Sequence, residues 1–382
     1  MNNSFPLRII ETRGTHYEVG HQIGVAARDS LCAMHAETRA DYGERWNSLL
    51  RASAPFLAAT QKHLPNVVEE LRGSADGAGI PFDDLFLMSV EELLYEEVRG
   101  GTSPRPSPSK GEGERERSKG EGDRERSKGE GERERSKGCS DLAAAVPATR
   151  DGHVWLAHNN DLGASSMPHL FVTRFCVNGE PEILAVTVGG LFISIGMNNA
   201  GICLTGNQLN ANDSRVGVPR LLIVRDILAQ TNLENALASA LLPERASSYN
   251  NIISSRDERI VNAEGSATAV ALSWSFEHGG ALAHTNHYLD ENMLPFEADA
   301  QNIAMSASRC ARAFDYARKY RGQIDFDVCA RFVRDHVYAP WSVCKHAGQS
   351  VTVFSALIDL TEQKMWLTRG NPCQSDFALY TF

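Results

Sequence analysis

A chain of 382 residues has room for one large domain or two ordinary ones, with a substantial buried core. Hydrophobic residues make up 42% and charged residues 23%, the balance of a globular protein, and 48 acidic against 38 basic side chains leave a net charge of -10, which argues against nucleic-acid binding through Lys and Arg contacts to phosphate. No apolar run approaches the roughly 18–20 residues of a membrane helix, and the opening MNNSFPLRIIETRG lacks the form of a secretory signal, so a cytoplasmic protein with no membrane partner is expected.

In chain order, a short strand is predicted near 7–11. Helical spacing follows over 15–50 through Tyr17, Val19, Ile23, Val25, Leu31 and Met34. Pro65 suits a helix start ahead of Val67, Val68 and Leu71, and 82–98 reads as a further helix. The segment 1–100 is thus mainly helical. At 101–108 the sequence GTSPRPSP is a Pro/Ser linker, and 109–138 is a nonapeptide repeat, SKGEGERER, SKGEGDRER, SKGEGERER, then SKG. Each unit balances Lys and two Arg against three acids and carries no aliphatic or aromatic residue. Nothing in it can be buried, and a solenoid needs apolar positions in every unit, so 101–138 is expected to be a disordered insertion.

From 139 onward the pattern changes to short apolar runs separated by turn signals such as TRDG, NGE and NNAG, a meander of antiparallel strands. Helices are predicted at 217–230 and 233–242. Strands come next (SYNNIIS, ATAVALSW, GALAHTN), then helices at 306–320 and 325–336, and the closing strands TVFSALIDL and KMWLTRG. Two blocks of strands interleaved with two blocks of helices suggest a layered sandwich over 139–382.

The eight cysteines are scattered without a C-x-x-C pair, against a zinc ribbon or a disulfide scaffold, and most are expected to be reduced core thiols. Cys139 differs, because it opens a strand directly after Gly138 at the end of the insertion. It is either a buried strand thiol or a nucleophile. Were Gly138–Cys139 cut, the new α-amino group, with a pKa of about 7.7–8.0, would be a base on the same residue as the thiol. Asp161 falls where a hairpin of two similar strands returns it beside Cys139, although NNDLG also reads as an Asx turn. Asn286 ends ALAHTN as either a turn residue or an amide donor suited to an oxyanion. His284 and His287 lie on opposite faces of a strand, which disfavours a shared metal, and neither a metal nor a cofactor is expected.

Across nearly all of the chain outside the insertion, a set of ordered motifs resembles the acyl-coenzyme A:isopenicillin N acyltransferase family of self-processing N-terminal-nucleophile hydrolases. GTHYEVGHQIG and ELRGSADGAGIPFDDL resemble that family's propeptide-derived chain. Gly138-Cys139-Ser140 resembles its Gly-Cys-Thr cleavage site, and His158-Asn159-Asn160-Asp161 its Gln-Asn-Trp-Asp turn. Gly217-Val218-Pro219, Ser247-Ser248-Tyr249-Asn250 and His284-Thr285-Asn286-His287 follow in the family's order. The resemblance implies an α+β, four-layer αββα sandwich. It also implies a precursor cut at Gly138–Cys139 into an α chain (1–138) and a β chain (139–382) that stay associated.

By the same resemblance, Cys139 is the nucleophile, Asp161 orients the new amine and Asn286 donates to the oxyanion. Ser140, Asn160, Ser248, His287 and Arg309 are weaker substrate-side candidates, with Arg309 favoured as structural. The substrate would be a small amide, a peptide-like molecule or an acyl-CoA. The repeat is foreign to the family, Asn160 stands in place of Trp, Ser140 in place of Thr, and Gln349 where some relatives carry Arg. The competing readings are a papain-like cysteine hydrolase with a histidine base and no processing, and an unprocessed, inactive precursor that acts by binding.

The insertion itself is testable. Shortening 109–135 while keeping Ser136-Lys137-Gly138-Cys139 should leave the melting temperature nearly unchanged, because no apolar side chain is removed and loop length costs only about 0.6 kcal/mol per doubling. A time course of precursor loss should accelerate, since a long polar segment gives the scissile carbonyl little hold. A much lower melting temperature would show that the repeat packs on the body.

Overall fold

The computed structural model describes residues 6–98, 138–298 and 303–382, so the repeat and its flank lie, apart from Gly138, outside the described residues. The N-terminal part comprises β1 (Arg8–Gly14), α1 (His16–Ala26), α2 (Arg28–Tyr42), α3 (Trp46–His63), α4 (Pro65–Ala78), α5 (Phe82–Met88) and α6 (Glu91–Val98). Next come β2 (Gly138–Ala144), β3 (Trp155–Leu162), β4 (Leu170–Val177), β5 (Ile183–Val188), β6 (Phe192–Asn198) and β7 (Ile202–Asn207). Two helices, α7 (Arg220–Leu228) and α8 (Leu233–Ala240), separate these from β8 (Asn250–Ser255), β9 (Ile260–Gly265), β10 (Val270–Trp274) and β11 (Ala281–His284). The chain closes with α9 (Ile303–Lys319), α10 (Phe326–Val333), β12 (Val351–Asp359), β13 (Lys364–Arg369) and β14 (Ala378–Thr381).

Local chemistry accounts for the boundaries. Thr15 and Glu18 form a reciprocal capping box that starts α1. Pro65 opens α4, where its missing N–H costs nothing, and Gly79 ends it at φ 75. The single helix predicted at 82–98 is two: Ser89 turns its hydroxyl onto the Phe86 carbonyl at 2.6 Å, and the chain re-enters a helix at Glu91. The helical stretch predicted at 15–50 is likewise interrupted, at Ala27 and at Gly43, which has φ 50.

The strands form two sheets, one of eight in the order β1-β4-β5-β6-β7-β8-β9-β10 and one of six in the order β11-β2-β3-β12-β13-β14. The expected single meander therefore divides after β3, and β1 joins the larger sheet parallel to β4, so the N-terminal segment is part of the sandwich. Strand alternation generates four layers. Ile183, Ala185, Phe171 and Phe175 face α1, α4 and α7, while Leu184, Val186, Leu170 and Val172 face the second sheet. From that sheet Ala143, Leu156 and Ile358 meet them, and Leu142, Trp155 and Leu357 turn the other way against α9 and α10. The order of layers is helices, sheet, sheet, helices, an α+β sandwich.

The helices of the outer layer are held to one another by buried charge and by backbone contact. Glu70 on α4 pairs with Arg225 on α7 at 3.0 Å, and Glu91 on α6 pairs with Arg220 at 3.0 Å. Gly20 and Gly24 of α1 face Gly73 and Gly77 of α4, so the two helices touch main chain to main chain. A methyl on Gly20 would stand 1.9 Å from the Glu70 carbonyl oxygen, and one on Gly73 2.0 Å from that of Tyr17. Neither partner is a side chain that can swing aside. Gly73→Ala should therefore destabilise the protein by roughly the 1–3 kcal/mol typical of overpacking or more, whereas Gly163→Ala, at an ordinary φ of -56 and with nothing closer than 3.7 Å to the added methyl, should cost less. Chemical denaturation of the two variants checks the contrast.

Candidate active site

β2 opens at Gly138 and runs antiparallel to β3, with Gly138 opposite Asp161, Cys139 opposite Asn160 and Asp141 opposite His158. The hairpin thus returns Asp161 to the start of β2. Alternation sends Cys139, Asp141, His158 and Asn160 to the face between the sheets, and Gly138, Ser140 and Asp161 to the face beneath α9. On its other side β2 pairs with β11 only as far as Asp141, opposite His284. Cys139 lies past that end, and side chains take over its main-chain groups. Its N–H donates to Asn286 Oδ1 at 2.7 Å, and its carbonyl accepts from Arg309 Nη1.

Arg309, 6% exposed on α9, also donates to Ser140 Oγ at 3.0 Å and to Asn286 Oδ1 at 2.9 Å. Its guanidinium is therefore a clamp on the start of β2. The Asn286 amide is oriented by its surroundings: Oδ1 meets two donors, while Nδ2 gives one hydrogen to the Gln208 carbonyl at 3.1 Å. Asn286 N donates to Ser306 Oγ at 2.7 Å, and Ser306 Oγ faces His287 Nδ1 at 2.7 Å. Burial, aided by nearby His284 and against the pull of Glu264, pushes His287 down to about 4, so near neutral pH the ring is uncharged.

Asp161 is fully buried. Its Oδ1 accepts from Thr352 Oγ1 at 2.7 Å, and its Oδ2 has no partner. A methyl on Gly138 would stand 3.1 Å from that oxygen, so the unpartnered atom is beside the residue that precedes Cys139. Burial holds the carboxyl above the ordinary range, opposed by Arg309, the Thr352 hydrogen bond and Lys345. Lys345 brings a cation near Asp161, while Gln349 is exposed.

The face between the sheets holds two residues that the sequence reading passed over. His158 lies in hydrogen-bonding contact with the Cys139 side chain, and its Nδ1 donates to Asp141 Oδ1 at 3.0 Å. Burial works to lower the ring's pKa, but Asp141 and Cys139 outweigh it and push it up to about 10. Thiol, imidazole and carboxylate are thus arranged in the order of a Cys-His-Asp triad. The signal was in the sequence, because Asp141 and His158 each stand two residues from a Cys139-facing position on paired strands. Asp141 Oδ2 accepts from Asn207 Nδ2 at 2.7 Å, Asn207 Oδ1 meets His284 Nδ1 at 3.1 Å, and His284 Nε2 meets Glu264 Oε1 at 3.0 Å. A polar chain therefore crosses from the small sheet to the large one.

Of the residues singled out in the sequence, Gly138, Cys139, Ser140, Asn160, Asp161, Asn286 and Arg309 come together, and His287 supports them through Ser306. Asn160 Nδ2 bonds Ser194 Oγ at 2.6 Å and lies 3.5 Å from His158 Nε2. Ser248 stands apart: its hydroxyl donates to the Tyr249 carbonyl at 2.9 Å, and it packs against Gly265. The two histidines of H-x-x-H take separate partners, Glu264 with Asn207 for His284 and Ser306 for His287.

Comparison with known proteins adds the family. The model of "Acyl-coenzyme A:6-aminopenicillanic acid acyl-transferase" matches residues 148–374, which include His158, Asp161, Asn286 and Arg309 and begin after Cys139. The beta-alanyl-dopamine/carcinine hydrolase of Drosophila melanogaster is 24% identical over 247 residues, 60% of this chain and 55% of that protein. The match thus spans little more than half of the hydrolase's length. The 40 kDa form of acyl-coenzyme A:6-aminopenicillanic-acid-acyltransferase of Emericella nidulans is 21% identical over 96% of this chain and 94% of its own. Among solved structures, a mutant conjugated bile acid hydrolase from Clostridium perfringens aligns with a TM-score of 0.43 at 12% identity, over 64% of this chain and 97% of that one. Penicillin V acylase from Agrobacterium tumefaciens aligns with a TM-score of 0.41 at 12% identity, over 60% and 83%. With more than half of its length matched by the family model, the chain belongs to the acyl-coenzyme A:6-aminopenicillanic acid acyl-transferase family of enzymes.

Proposed function

We propose that this chain is a cysteine N-terminal-nucleophile enzyme that cuts itself between Gly138 and Cys139 and then hydrolyses a small N-acyl or peptide-like amide through an acyl-enzyme on Cys139. One observation carries the reading. The main-chain N–H and C=O of Cys139 are held by Asn286 and Arg309 where pairing with β11 has stopped, while its sulfur meets His158. A structural strand thiol requires none of this.

In the first reaction the Cys139 sulfur attacks the Gly138 carbonyl carbon, and its proton resides on His158. The Gly138–Cys139 C–N bond breaks, the electron pair stays on nitrogen, and that nitrogen takes the proton to become the α-amine. Water then adds to the thioester, the C–S bond breaks, and Gly138 leaves as a carboxylate. In the second reaction the same sulfur attacks the substrate amide, the amine departs protonated, and water releases the acid.

His158 supplies what the uncut chain lacks, since an amide nitrogen is no base and the α-amine does not yet exist. The imidazolium paired with Asp141 also stabilises the negative charge on sulfur. Asp161 Oδ2, unpartnered beside Gly138, is placed to receive a hydrogen of the new amine. The second Nδ2 hydrogen of Asn286 serves the oxyanion. The Glu70–Arg225 and Glu91–Arg220 pairs and the β1–β4 ladder favour α and β chains that stay together after the cut. Transfer to an amine acceptor uses the same acyl-enzyme and differs only in what excludes water.

N-terminal sequencing of the purified protein should give CSDLAAA beside the original start, and Cys139→Ala should remain one inactive chain. A single uncut chain that hydrolyses amides would favour the papain-like alternative, and an uncut chain whose Cys139 resists acylating probes would favour a binding protein.

His158→Gln should slow precursor conversion by about 10²–10⁴-fold, and Asn286→Ala should lower turnover by about 10²–10³-fold. The His158 pair also has a pH signature. Its folded pKa, about 10, lies above the unfolded value near 6.5, so its stabilisation is complete below about 6.5 and is lost as pH rises toward 10. Denaturation measured across that window should show the stability advantage of the wild type over His158→Gln shrinking. An advantage that stays flat with pH would remove the charged pair.

A further inference from the structure

A second cluster lies on the loops beneath the site. Between α10 and β12 the chain runs from 334 to 350 without regular structure, a length of loop that is uncommon without a purpose. That loop carries His336, Cys344 and His346, and the loop after β13 carries Cys373. One ligand atom from each of the four lies within 4.8 Å of all the others. Cys344 Sγ is 3.6 Å from Cys373 Sγ and 3.5 Å from His346 Nε2, which is 3.2 Å from Cys373 Sγ and 2.9 Å from His336 Nε2.

Four of the six edges of a tetrahedron can be compared directly. Bonds of about 2.3 Å to sulfur and 2.0–2.1 Å to nitrogen place tetrahedral ligands about 3.8 Å apart for two sulfurs, 3.5 Å for sulfur and nitrogen, and 3.3 Å for two nitrogens. The four measured edges fall within about half an ångström of that figure. Asn371 adds support from outside, with Nδ2 donating to Cys344 Sγ at 3.6 Å and to the Lys345 carbonyl at 2.8 Å. An amide N–H aimed at a sulfur suits a thiolate ligand.

We propose that His336, Cys344, His346 and Cys373 form a closed, tetrahedral Cys₂His₂ site for a zinc ion. Two thiolates with two imidazoles match the donor preference of zinc, and four protein ligands leave no open position, which marks a structural ion. Its task is to fix the loop against the site. Lys345, between two of the ligands, donates its N–H to Thr352 Oγ1 at 2.9 Å, and Thr352 Oγ1 donates to Asp161 Oδ1 at 2.7 Å. Asn159, the neighbour of His158, donates to the Val343 carbonyl at 2.8 Å. Two hydrogen bonds thus join Lys345, which stands between two ligands, to Asp161. The sequence rule that looks for paired C-x-x-C overlooks the set, because its last ligand comes from a separate loop.

The test is metal content of the full-length protein, independent of any catalytic reading. Mass spectrometry of the purified, dialysed chain should find about one zinc per chain, falling to less than about a tenth in Cys344→Ser and Cys373→Ser and unchanged in Cys32→Ser. Cobalt exchanged into the wild type should give the strong visible bands of tetrahedral coordination and a thiolate charge-transfer band, a readout that does not depend on the variants folding. A chelator should expose Cys373 to iodoacetamide and lower the melting temperature. Wild-type protein that neither carries zinc nor takes up added zinc or cobalt would overturn the proposal, as would zinc retained in Cys344→Ser. A Cys344–Cys373 disulfide in protein purified under reducing conditions, seen as a mass two hydrogens lower, would also overturn it.

Discussion

The buried pairing of His158 with Asp141 is the constraint around which the inner sheets are arranged. Two polar side chains, each 1% exposed, face each other across β2 and β3 where a sandwich would ordinarily place aliphatic groups. Burying such groups costs free energy unless most of their polar atoms find partners. Here the need propagates. Asp141 takes Asn207 from the larger sheet, Asn207 takes Asn250 and His284, and His284 takes Glu264, whose second oxygen is capped by the N–H groups of Leu289 and Asp290. Burial alone would raise Glu264; the His284 contact and those two amides hold it below the ordinary carboxylate range. The sheets are therefore joined by apolar packing over most of their area and, at the end that carries the thiol, by directional polar links, this chain and the Asn160–Ser194 bond among them.

Most of the fold was legible because its signals are local. The alternation in LFVTRFCV and EILAVTVG appears directly as β4 and β5, and Pro65 and Gly79 bound α4 as their backbone preferences require. The two motifs GHQIG and GSADG were visible as text, but their meaning was not, since facing glycines become a helix contact only once α1 and α4 are brought together. The assignment of strands to sheets was also hidden. β3 and β4 are adjacent in sequence yet lie in different sheets, a choice made by burial on both faces and not by either strand's own pattern.

The site was half legible for a similar reason. Cys139 and Asp161 follow from hairpin geometry, and their cross-strand register matches that expectation. His158 lies in a run that reads as a strand, but its partnership with the thiol appears only once β2 and β3 pair and alternation puts both side chains on the face between the sheets. Arg309 was favoured as structural, and its guanidinium does hold main chain, but the main chain it holds is that of Cys139. Ser248 belonged to the same ordered motifs and lies elsewhere, so order along a sequence does not guarantee proximity in space.

The early stop of β11 has a consequence for the molecule's solubility. β11 is the outermost strand of the six-stranded sheet and only four residues long, so beyond His284 it is β2 that forms the rim. An uncovered rim strand offers free N–H and C=O groups on which another chain can assemble, the hazard that leads to edge-to-edge aggregation. At Cys139 both groups are already occupied, by Asn286 and by the charged Arg309. A guanidinium seated there repels the approach of an apolar strand as well as blocking its hydrogen bonds. The side chains that present the thiol also guard an opening in the sheet.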